Sequence, residues 1–324
     1  MSSLGLSSRA IQGRFYDELS RVFDGAWYSD LFFEGFTDQQ FEEYAFTSQV
    51  GNWRKHTGQH APTRLTSKAI RIANERWENS LNIPIDDWRR DKTGQIATRV
   101  GELADSVGHF FDEIYTTMLI DGDIGTGMAG TAYDGQFFFD TDHSWGDSGT
   151  LQNNIDSSDV ASLNVGSATA PTQAEASAAI LDVIAYMLKY KDDKGRPSNG
   201  GMRRVKVVCP TNLWGPMHAA CTASRLNAAS GAVGDNSLIT SGFSVTAHAN
   251  PRLDADSTSV FYVFRADGRT KPFIQQEEVP VTIDDACAEG SEYASHNKEL
   301  MWSAEWVGGF GYGQWQHAVR CTLS

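Results

Sequence analysis

The sequence lacks any long apolar segment, although 40% of its 324 residues are hydrophobic. No stretch of about 18 apolar residues occurs, so we expect no membrane-spanning helix. The amino terminus also lacks a basic region followed by a continuous apolar segment, which excludes a recognisable secretory signal. We therefore expect a protein made and kept in a cytoplasm, long enough for one elaborate domain or two ordinary ones.

Cysteine is scarce and scattered. The residues Cys209, Cys221, Cys287 and Cys321 show no CxxC or Cys/His spacing, which a zinc site or a thiol redox motif requires. In a reducing compartment, isolated cysteines are typical of small buried side chains. The sequence therefore predicts neither a disulfide framework nor a structural zinc site.

Basic residues are outnumbered, with 27 Lys and Arg against 41 Asp and Glu and a formal net charge of -14. This balance argues against a protein that grips nucleic acid through its surface, because such binding depends on Lys and Arg neutralising phosphates. The charge is also segregated. Residues 1–50 carry three basic and eight acidic side chains, whereas residues 51–76 carry six basic and one acidic. Two interpretations stay open: a solvated surface, or opposite patches that steer association between copies.

Motifs for cofactor binding and hydrolysis fail in their context. Gly125, Gly127 and Gly130 match GxGxxG, but a helical pattern precedes them and an aromatic turn follows, the reverse of a dinucleotide site. His56 and His60 stand four apart without the catalytic Glu of HExxH, and no GxSxG occurs. We therefore interpret these segments as loops and expect no cofactor.

One acidic cluster keeps a chemical alternative open. Asp140, Asp142, His143 and Asp147 lie close together, and carboxylates with an imidazole can hold a divalent ion or activate water. The same residue types beside Gly and Ser also form Asx turns, in which short acids accept backbone hydrogen bonds. We favour the turn. The alternative is a metal-dependent hydrolase centred on Asp140, Asp142 and His143.

Apolar periodicity predicts a mixed α+β chain with one long helix. Apolar residues recur at steps of three and four from Ile96 to Met118, which predicts a one-faced helix over about residues 88–120. Thr172 and Glu175 have the spacing of a capping box, which predicts the start of a second long helix. Shorter patterns predict strands at 205–209, 243–247 and 260–264 and a helix over about 212–223.

Three further segments suggest close contact with other parts of a fold. Residues 1–46 contain a short amphipathic helix and then a dense series of aromatics, too many for a free tail. Residues 47–79 hold glycines and a proline and then alternate weakly. This pattern predicts a long two-stranded excursion that needs partners, because isolated hairpins are marginal in water. Residues 300–319 alternate large side chains with glycine, as strands do where other backbone crosses closely.

Two sequence blocks carry a family resemblance. The first is YDGQFFFDTDH, from Tyr133 to His143. The second is Lys271-Pro272-Phe273-Ile274 with Gln276, followed by Gly309-Phe310-Gly311, Trp315-Gln316 and Ala318. In this order and at this distance, the blocks resemble the major head subunit family of Mu-type tailed phages. The chain departs from the family after the histidine, where a proline is usual and Ser144-Trp145 stands instead, which leaves the conformation of that loop open.

That resemblance implies an α+β chain with the Hong Kong 97 capsid fold. The implied parts are an amino-terminal arm (1–46), an extended loop (47–79), a peripheral domain (80–164 and 276–324) with a spine helix at about 88–120, and an axial domain (165–275). The implied function is that of a major capsid protein without enzymatic activity. Its copies would form the pentamers and hexamers of an icosahedral head around double-stranded DNA, without sequence-specific binding.

The resemblance also places contacts between copies in the arm and the extended loop. We expect the aromatic arm to pack across a neighbouring subunit and the basic loop to reach over another. The candidate contact residues are Trp27, Phe32, Phe33, Trp53, Arg54, Lys55, Arg64, Lys68 and Arg71.

Further partners follow from the same reasoning. A protease and a portal are expected, and no membrane. Because no scaffold-like coiled segment precedes the arm, we expect a separate scaffolding protein. The sequence starts at Met1, and we expect that its amino terminus is not trimmed. The protein is expected in the virion capsid, after assembly in the cytoplasm of a bacterial host.

Overall fold

Two β-sheets and one long helix organise the chain. The computed structural model describes residues 8–48, 67–90, 94–125, 127–227, 233–287 and 291–324. Within these residues the α-helices are α1 Ser8–Val22, α2 Ile85–Arg90, α3 Gln95–Ile120, α4 Gln173–Met187, α5 Thr211–Thr222, α6 Ser237–Thr240 and α7 Glu292–Asn297. None of the described helices is long and apolar enough to cross a membrane.

The β-strands form two larger sheets and two separate pairs. Over the same described ranges the strands are β1 Phe32–Phe36, β2 Phe41–Thr47, β3 Ser67–Ala73, β4 Glu75–Pro84, β5 Asn154–Ile155, β6 Arg204–Cys209, β7 Arg225–Asn227, β8 Val233–Asp235, β9 Ser244–Ala249, β10 Val260–Arg265, β11 Phe273–Cys287, β12 Glu299–Tyr312 and β13 Ala318–Thr322. The four-stranded sheet has the order β1-β11-β12-β4, and the five-stranded sheet has the order β5-β13-β10-β6-β9. The two remaining pairs are β2 with β3 and β7 with β8. The predicted α+β organisation is therefore present.

The spine helix α3 carries the predicted apolar stripe. It has 26 residues, a length of about 39 Å at 1.5 Å per residue. The seven periodic positions are all buried, namely Ile96, Val100, Leu103, Val107, Phe111, Ile114 and Met118. The helix is shorter than the predicted 88–120, because Trp88 belongs to α2 and Gly94 has a φ of 76°. A residue in this left-handed conformation does not continue a right-handed helix.

Helix α4 begins at the predicted capping box. Thr172 Oγ1 accepts a hydrogen bond from Glu175 N at 3.3 Å, and Glu175 Oε2 accepts one from Thr172 N at 2.8 Å. The apolar side of α4 is buried in the core of the five-stranded sheet. Helix α5 and strands β6, β9 and β10 also lie within two residues of their predicted positions.

The carboxy-terminal strands divide between the two sheets. β12 lies between β11 and β4 in the four-stranded sheet, whereas β13 pairs antiparallel with β10 and parallel with β5 in the five-stranded sheet. A short 3-10 helix, Trp315–His317, turns the chain from one sheet to the other. Val319 and Cys321 of β13 are buried in the core of the five-stranded sheet. β13 therefore pairs in the five-stranded sheet, while Ala318 at its start also lies in the core that contains the four-stranded sheet. The grouping of 276–324 with the peripheral domain stays a prediction.

The predicted two-stranded excursion is built from β2 and β3. Phe41 pairs with Ala73 and Thr47 with Ser67 in an antiparallel register, so its first strand begins inside the predicted arm. β4 pairs along its length with β12 and belongs to the four-stranded sheet. The described pairing of the excursion therefore extends from Phe41 to Ala73, whereas the predicted extended loop covers 47–79. The division into arm, loop and domains stays a prediction.

Glycines of β12 allow other segments to cross it closely. A Cβ on Gly309 would meet the backbone oxygen of Ala73 and, at 2.7 Å, the Ile72 side chain. A Cβ on Gly308 would meet the backbone oxygen of Gln276. The predicted close crossing at these glycines is confirmed. It seats the base of the β2–β3 hairpin on the four-stranded sheet.

Replacing Gly309 by Ala tests this contact. We expect Gly309→Ala to lower the free energy of unfolding of the unassembled subunit by about 1–3 kcal/mol, because the new methyl group overpacks the crossing. The matched control is Gly101→Ala in α3, where a Cβ would meet nothing within 4 Å. The control should gain up to about 1 kcal/mol from helix propensity. Denaturant unfolding of both variants makes the measurement, and a Gly309→Ala subunit as stable as the wild type contradicts the expectation.

The buried imidazole of His317 makes stability depend on pH. Burial, assisted by the Arg265 guanidinium, lowers the pKa of His317 from 6.5 to about 3. Between these two pH values the unfolded chain binds a proton on this imidazole and the folded chain does not. The stability that neutral His317 contributes is therefore fully present above pH 6.5 and is lost progressively as the pH falls toward 3, with a slope of up to about 1.4 kcal/mol per pH unit.

We expect His317→Gln to remove this slope, whatever its effect on stability at pH 7. The measurement is the free energy of unfolding between pH 5 and 6.5, where His317 should dominate the difference between the two proteins. The control, His218→Gln, alters an exposed histidine and should keep the wild-type slope. Equal slopes for wild type and His317→Gln would show that His317 accepts a proton in the folded state.

Candidate functional site

The amino-terminal helix α1 lies on the spine helix of its own chain. Ile11 and Phe15 are 1% and 0% exposed. The Val22 side chain occupies the space that a Cβ on Gly108 of α3 would need. The missing side chain at Gly108 therefore lets the two helices approach closely, and the arm begins as part of the subunit's own core.

Asp112 on the spine helix joins two remote segments. Its Oδ1 accepts a hydrogen bond from Trp27 Nε1 at 2.6 Å, and its Oδ2 accepts one from Arg252 Nε at 2.9 Å. Arg252 also donates to Glu113 Oε2 at 3.3 Å and to His109 O at 3.4 Å. Hydrogen bonds with a charged partner are the stronger kind. Asp112 therefore anchors both the arm and the segment after β9.

Trp27 is consequently a core residue of its own subunit. Its side chain is 6% exposed, with its ring edge-on to Tyr28 and Tyr115 at centroid distances of 5.7 and 6.4 Å. The expected contact of Trp27 with a neighbouring subunit stays a prediction, and the ring offers only a small exposed surface for it. Little of the ring is left for a partner, because the spine helix and the neighbouring aromatics already cover it.

A buried lysine of the five-stranded sheet holds the turn that follows Trp27. Lys206 Nζ donates to Trp27 O at 3.2 Å, to Ser29 Oγ at 3.0 Å and to Ser29 O, and lies 3.8 Å from Asp30 Oδ2. Burial is the largest effect on this amine and lowers the pKa of Lys206, while the Asp30 carboxylate opposes that shift. A buried charge is tolerated when it is paired and hydrogen-bonded. The arm is thus fastened to the second sheet as well as to the spine helix.

Strand β1 presents aromatics both to the core and to solvent. Phe32 is half-buried and stacks on Tyr115 at 5.6 Å. Phe33 is 47% exposed and Phe36 is 76% exposed. β1 is an edge strand, paired in parallel with β11 on one side. Of the predicted contact residues in the arm, Phe33 is therefore the one with a large exposed surface, and Phe36 joins it.

The base of the β2–β3 hairpin holds two predicted contact residues. Lys68 Nζ donates to the Asp134 backbone oxygen at 3.1 Å. The Arg71 guanidinium carbon lies 3.5 Å from the centre of the Phe41 ring, a cation–π contact. Both cations are thus engaged within their own subunit, although Arg71 stays exposed. Four further predicted contact residues lie outside the described residues, namely Trp53, Arg54, Lys55 and Arg64.

His143 of the acidic cluster is closed off from solvent. It is 0% exposed, and its ring stacks on Trp315 with centroids 4.1 Å apart. Nδ1 lies 2.7 Å from Asp134 Oδ2, and Nε2 lies 3.3 Å from Phe138 O. Both nitrogens therefore face partners inside the fold, and neither is available to a metal ion or a substrate.

The acids near His143 form the favoured turn. Asp140 Oδ1 accepts a hydrogen bond from Thr141 N at 2.7 Å, and Asp140 Oδ2 accepts one from Phe137 N at 3.1 Å. Asp142 is exposed and separate from the buried pair. Among the described residues, no group of three or more His, Cys, Asp and Glu side chains is arranged to hold a metal ion. The hydrolase alternative is therefore wrong, because its imidazole and its first carboxylate serve the fold.

The two sequence blocks that carried the resemblance meet in space. The ring of Phe138 in the first block packs against that of Phe273 in the second, with centroids 5.7 Å apart. Gln316 Nε2 donates to the Tyr133 hydroxyl at 2.8 Å. Asn153 Nδ2 bridges them by donating to Phe138 O at 2.8 Å and Trp315 O at 3.3 Å. The blocks therefore form one buried junction beside the point where the chain changes sheets.

Sequence reasoning missed the anchoring residues Asp112, Lys206 and Arg252. A signal existed for Lys206, because it interrupts the apolar strand Val205–Cys209 and its side chain had to leave the core or find partners there. Asp112 and Arg252 lie 140 residues apart. No local pattern could have paired them.

Comparison with known families gives a match over most of the chain. The family model described as the Mu-like prophage major head subunit gpT matches residues 27–171 and 234–323. The Mu-like prophage FluMu major head subunit of Haemophilus influenzae is 32% identical over 100 residues, which covers 31% of this chain and 31% of that relative. The family match includes the anchored turn of the arm, the spine helix and strands of both sheets.

Solved phage structures share the fold. The procapsid of bacteriophage JBD30 gives a TM-score of 0.51 at 16% identity and covers 98% of this chain and 75% of that one. The capsid of the cyanophage P-SCSP1u gives a TM-score of 0.55 at 10% identity and covers 92% of this chain and 88% of that one. The expected α+β chain with the Hong Kong 97 capsid fold is confirmed.

Replacing Asp112 by Ala tests the anchor. We expect Asp112→Ala to lower the free energy of unfolding by about 2–3 kcal/mol, because Arg252 and the Trp27 indole lose a charged partner. Asp105→Ala is the matched control, since Asp105 is an exposed acid on the same helix and its loss should change stability by less than about 0.5 kcal/mol. Denaturant unfolding of the unassembled subunit makes the comparison. Equal free energies of unfolding for Asp112→Ala and the wild type would show that Asp112 is not an anchor.

Proposed function

This chain belongs to the Mu-like prophage major head subunit family, and we propose that it is a major capsid protein whose copies form the pentamers and hexamers of an icosahedral phage head. The observation that carries the proposal is the family match over residues 27–171 and 234–323, on a chain with the capsid fold. The function is structural rather than enzymatic. In support, His143 of the acidic cluster is hydrogen-bonded to Asp134 and stacked on Trp315 in a buried junction.

The proposed work of the subunit is mechanical. A shell that encloses double-stranded DNA resists outward pressure through lateral contacts between neighbouring copies. The spine helix supports this role as a rigid element, because the arm, the four-stranded sheet and the segment around Arg252 all pack or bond against it. We assign the region of residues 165–275 to the capsomer axis, and the remainder of the body to the periphery.

The proposed contact surface lies on the outer side of the arm and on the extended hairpin. Exposed apolar side chains support this assignment, since a lone subunit gains nothing by exposing them. The exposed aromatics among the described residues of the arm and the hairpin base are Tyr16, Phe23, Phe33, Phe36 and Phe41, and Phe36 is the most exposed of them. The hairpin sequence adds the basic residues Arg54, Lys55 and Arg64, whereas the arm is acidic. Opposite charge on neighbouring copies would fix the register of their association.

The other partners are proposals from the family resemblance. DNA is enclosed without sequence-specific binding, which suits a chain with a net charge of -14. A separate scaffolding protein, a protease and a portal complete the particle. The protein resides in the virion after assembly in the bacterial cytoplasm.

Electron microscopy of the purified protein tests the function. We expect capsomers or closed shells from the chain expressed alone or together with its scaffolding protein. Reversing the charge of the loop with Arg54→Glu and Lys55→Glu should hinder shell formation while the subunit stays folded, because the acidic neighbour would then repel it. The effect should weaken in high salt, which screens exposed charges.

The matched control reverses two cations outside the proposed contact surface, with Lys189→Glu and Lys191→Glu. It changes the net charge by the same amount and should assemble normally. Circular dichroism of all three proteins checks that the subunit remains folded. Normal shells from the loop variant would refute the proposal that charge steers assembly. A monodisperse wild-type monomer under every condition would refute the proposed capsid function.

A further inference from the structure

A polar cavity opens where the chain passes from the four-stranded to the five-stranded sheet. It has a volume of about 370 Å³. Its walls come from the loop after α4, from the end of β10 and from the 3-10 helix Trp315–His317. The lining residues that matter here are Arg196, Arg265, Gln316 and His317. The cavity therefore lies beside the turn that connects the two sheets and is bordered by Arg265 at the end of β10.

Two buried side chains in this wall have hydrogen-bonding atoms without a protein partner. Gln316 is 4% exposed and His317 is 3% exposed. Within the described part of the chain, Gln316 Oε1 and His317 Nδ1 have no hydrogen-bond partner. Buried polar atoms in folded proteins are bonded to protein or to ordered water in the great majority of cases. These two atoms therefore call for a ligand that the protein itself does not supply.

Flipping the side-chain amide of Gln316 does not give its unpaired atom a hydrogen-bond partner. Gln316 Nε2 donates to the Tyr133 hydroxyl at 2.8 Å. Exchanging the amide oxygen and nitrogen would bond the oxygen to that hydroxyl and leave the nitrogen unpaired instead. In either orientation one end of this amide lacks a hydrogen-bond partner among the described residues.

The charges in the cavity wall are already neutralised by pairing. Arg196 Nη2 lies 2.8 Å from Asp192 Oδ2, Arg265 Nε lies 2.7 Å from Asp267 Oδ1, and Lys194 Nζ lies 3.3 Å from Asp193 Oδ2. The wall therefore offers no excess of one charge that would select an anion or a cation. A small neutral molecule with hydrogen-bond donors fits both unpaired acceptors. The volume far exceeds the share of about 30 Å³ that one water molecule occupies in the liquid.

We propose that this cavity holds a cluster of ordered water molecules, which bond to Gln316 and to Nδ1 of His317 in the turn that connects the two sheets. The inference is independent of the capsid function. A water-filled crossover supplies the bonds that the turn between β12 and β13 cannot make with protein groups.

A structure of the wild-type protein that resolves water molecules tests the proposal, either in a crystal of the subunit or in an assembled shell. We expect ordered water at about 2.7–3.2 Å from His317 Nδ1 and from the amide end of Gln316 that faces the cavity. Pressurising the same crystals with xenon gives a second readout, because a dry apolar cavity takes up xenon and a hydrated polar one does not. Empty density at both atoms, or xenon bound in this cavity, would overturn the proposal.

His317→Phe keeps a ring of similar shape and removes the acceptor. We expect the water next to position 317 to disappear from its map while water near Gln316 remains. His218→Phe, at an exposed position, is the control and should leave the cavity waters unchanged. An unaltered water at the mutated position would show that His317 does not hold it. If His317→Phe does not fold, the wild-type map and the xenon experiment decide.

Discussion

The structure depends on burying one face of the spine helix. Seven periodic apolar positions require cover along about 39 Å, more than a single neighbouring element provides. The cover comes from α1, from the four-stranded sheet and from aromatics of the arm, which share one core with the helix. Asp112 adds polar bonds on the same helix and fixes the arm and the Arg252 segment to it. The described part of the arm, the four-stranded sheet and the Arg252 segment are thus all positioned against α3.

Local signals identified the elements whose cause is local. The stripe of α3, the capping box of α4 and the strand patterns each reside within a few turns or residues, and the structure has them close to where they were expected. The glycines of β12 are also a local signal, because a strand residue without a side chain indicates that other backbone approaches closely. These local signals do not say which other element each helix or strand pairs with or packs against. In the sequence, β13 resembles a continuation of β12. In the structure, the chain turns at Trp315–His317, and β13 pairs in the other sheet.

The same limit explains the outcome for the candidate contact residues. A dense series of aromatics predicts burial, but it does not say whether the covering surface belongs to the same chain. Trp27 is covered by its own spine helix, whereas Phe33 and Phe36 remain exposed. The His143 cluster shows the limit from the chemical side. An acid and an imidazole in one turn look alike in sequence whether they bind a metal or hold a loop, and burial of both ring nitrogens against Asp134 and Phe138 decides between them.

The anchoring of the arm restricts how a surface between copies could work. The turn after Trp27 is held by Lys206 and Asp112, so β1 is presented in a fixed position. A fixed aromatic edge loses less conformational entropy on association than a free tail. Charge and apolar surface then have different roles. Exposed charges are screened beyond about 8 Å at physiological ionic strength, so the acidic arm and the basic loop can orient approaching copies but contribute little holding energy. Burial of Phe33 and Phe36 in the proposed contact would stabilise it more strongly, because fully burying one such side chain yields about 1.5–3 kcal/mol. The anchored strand thus supplies the strength of a proposed contact, and the charges supply its register.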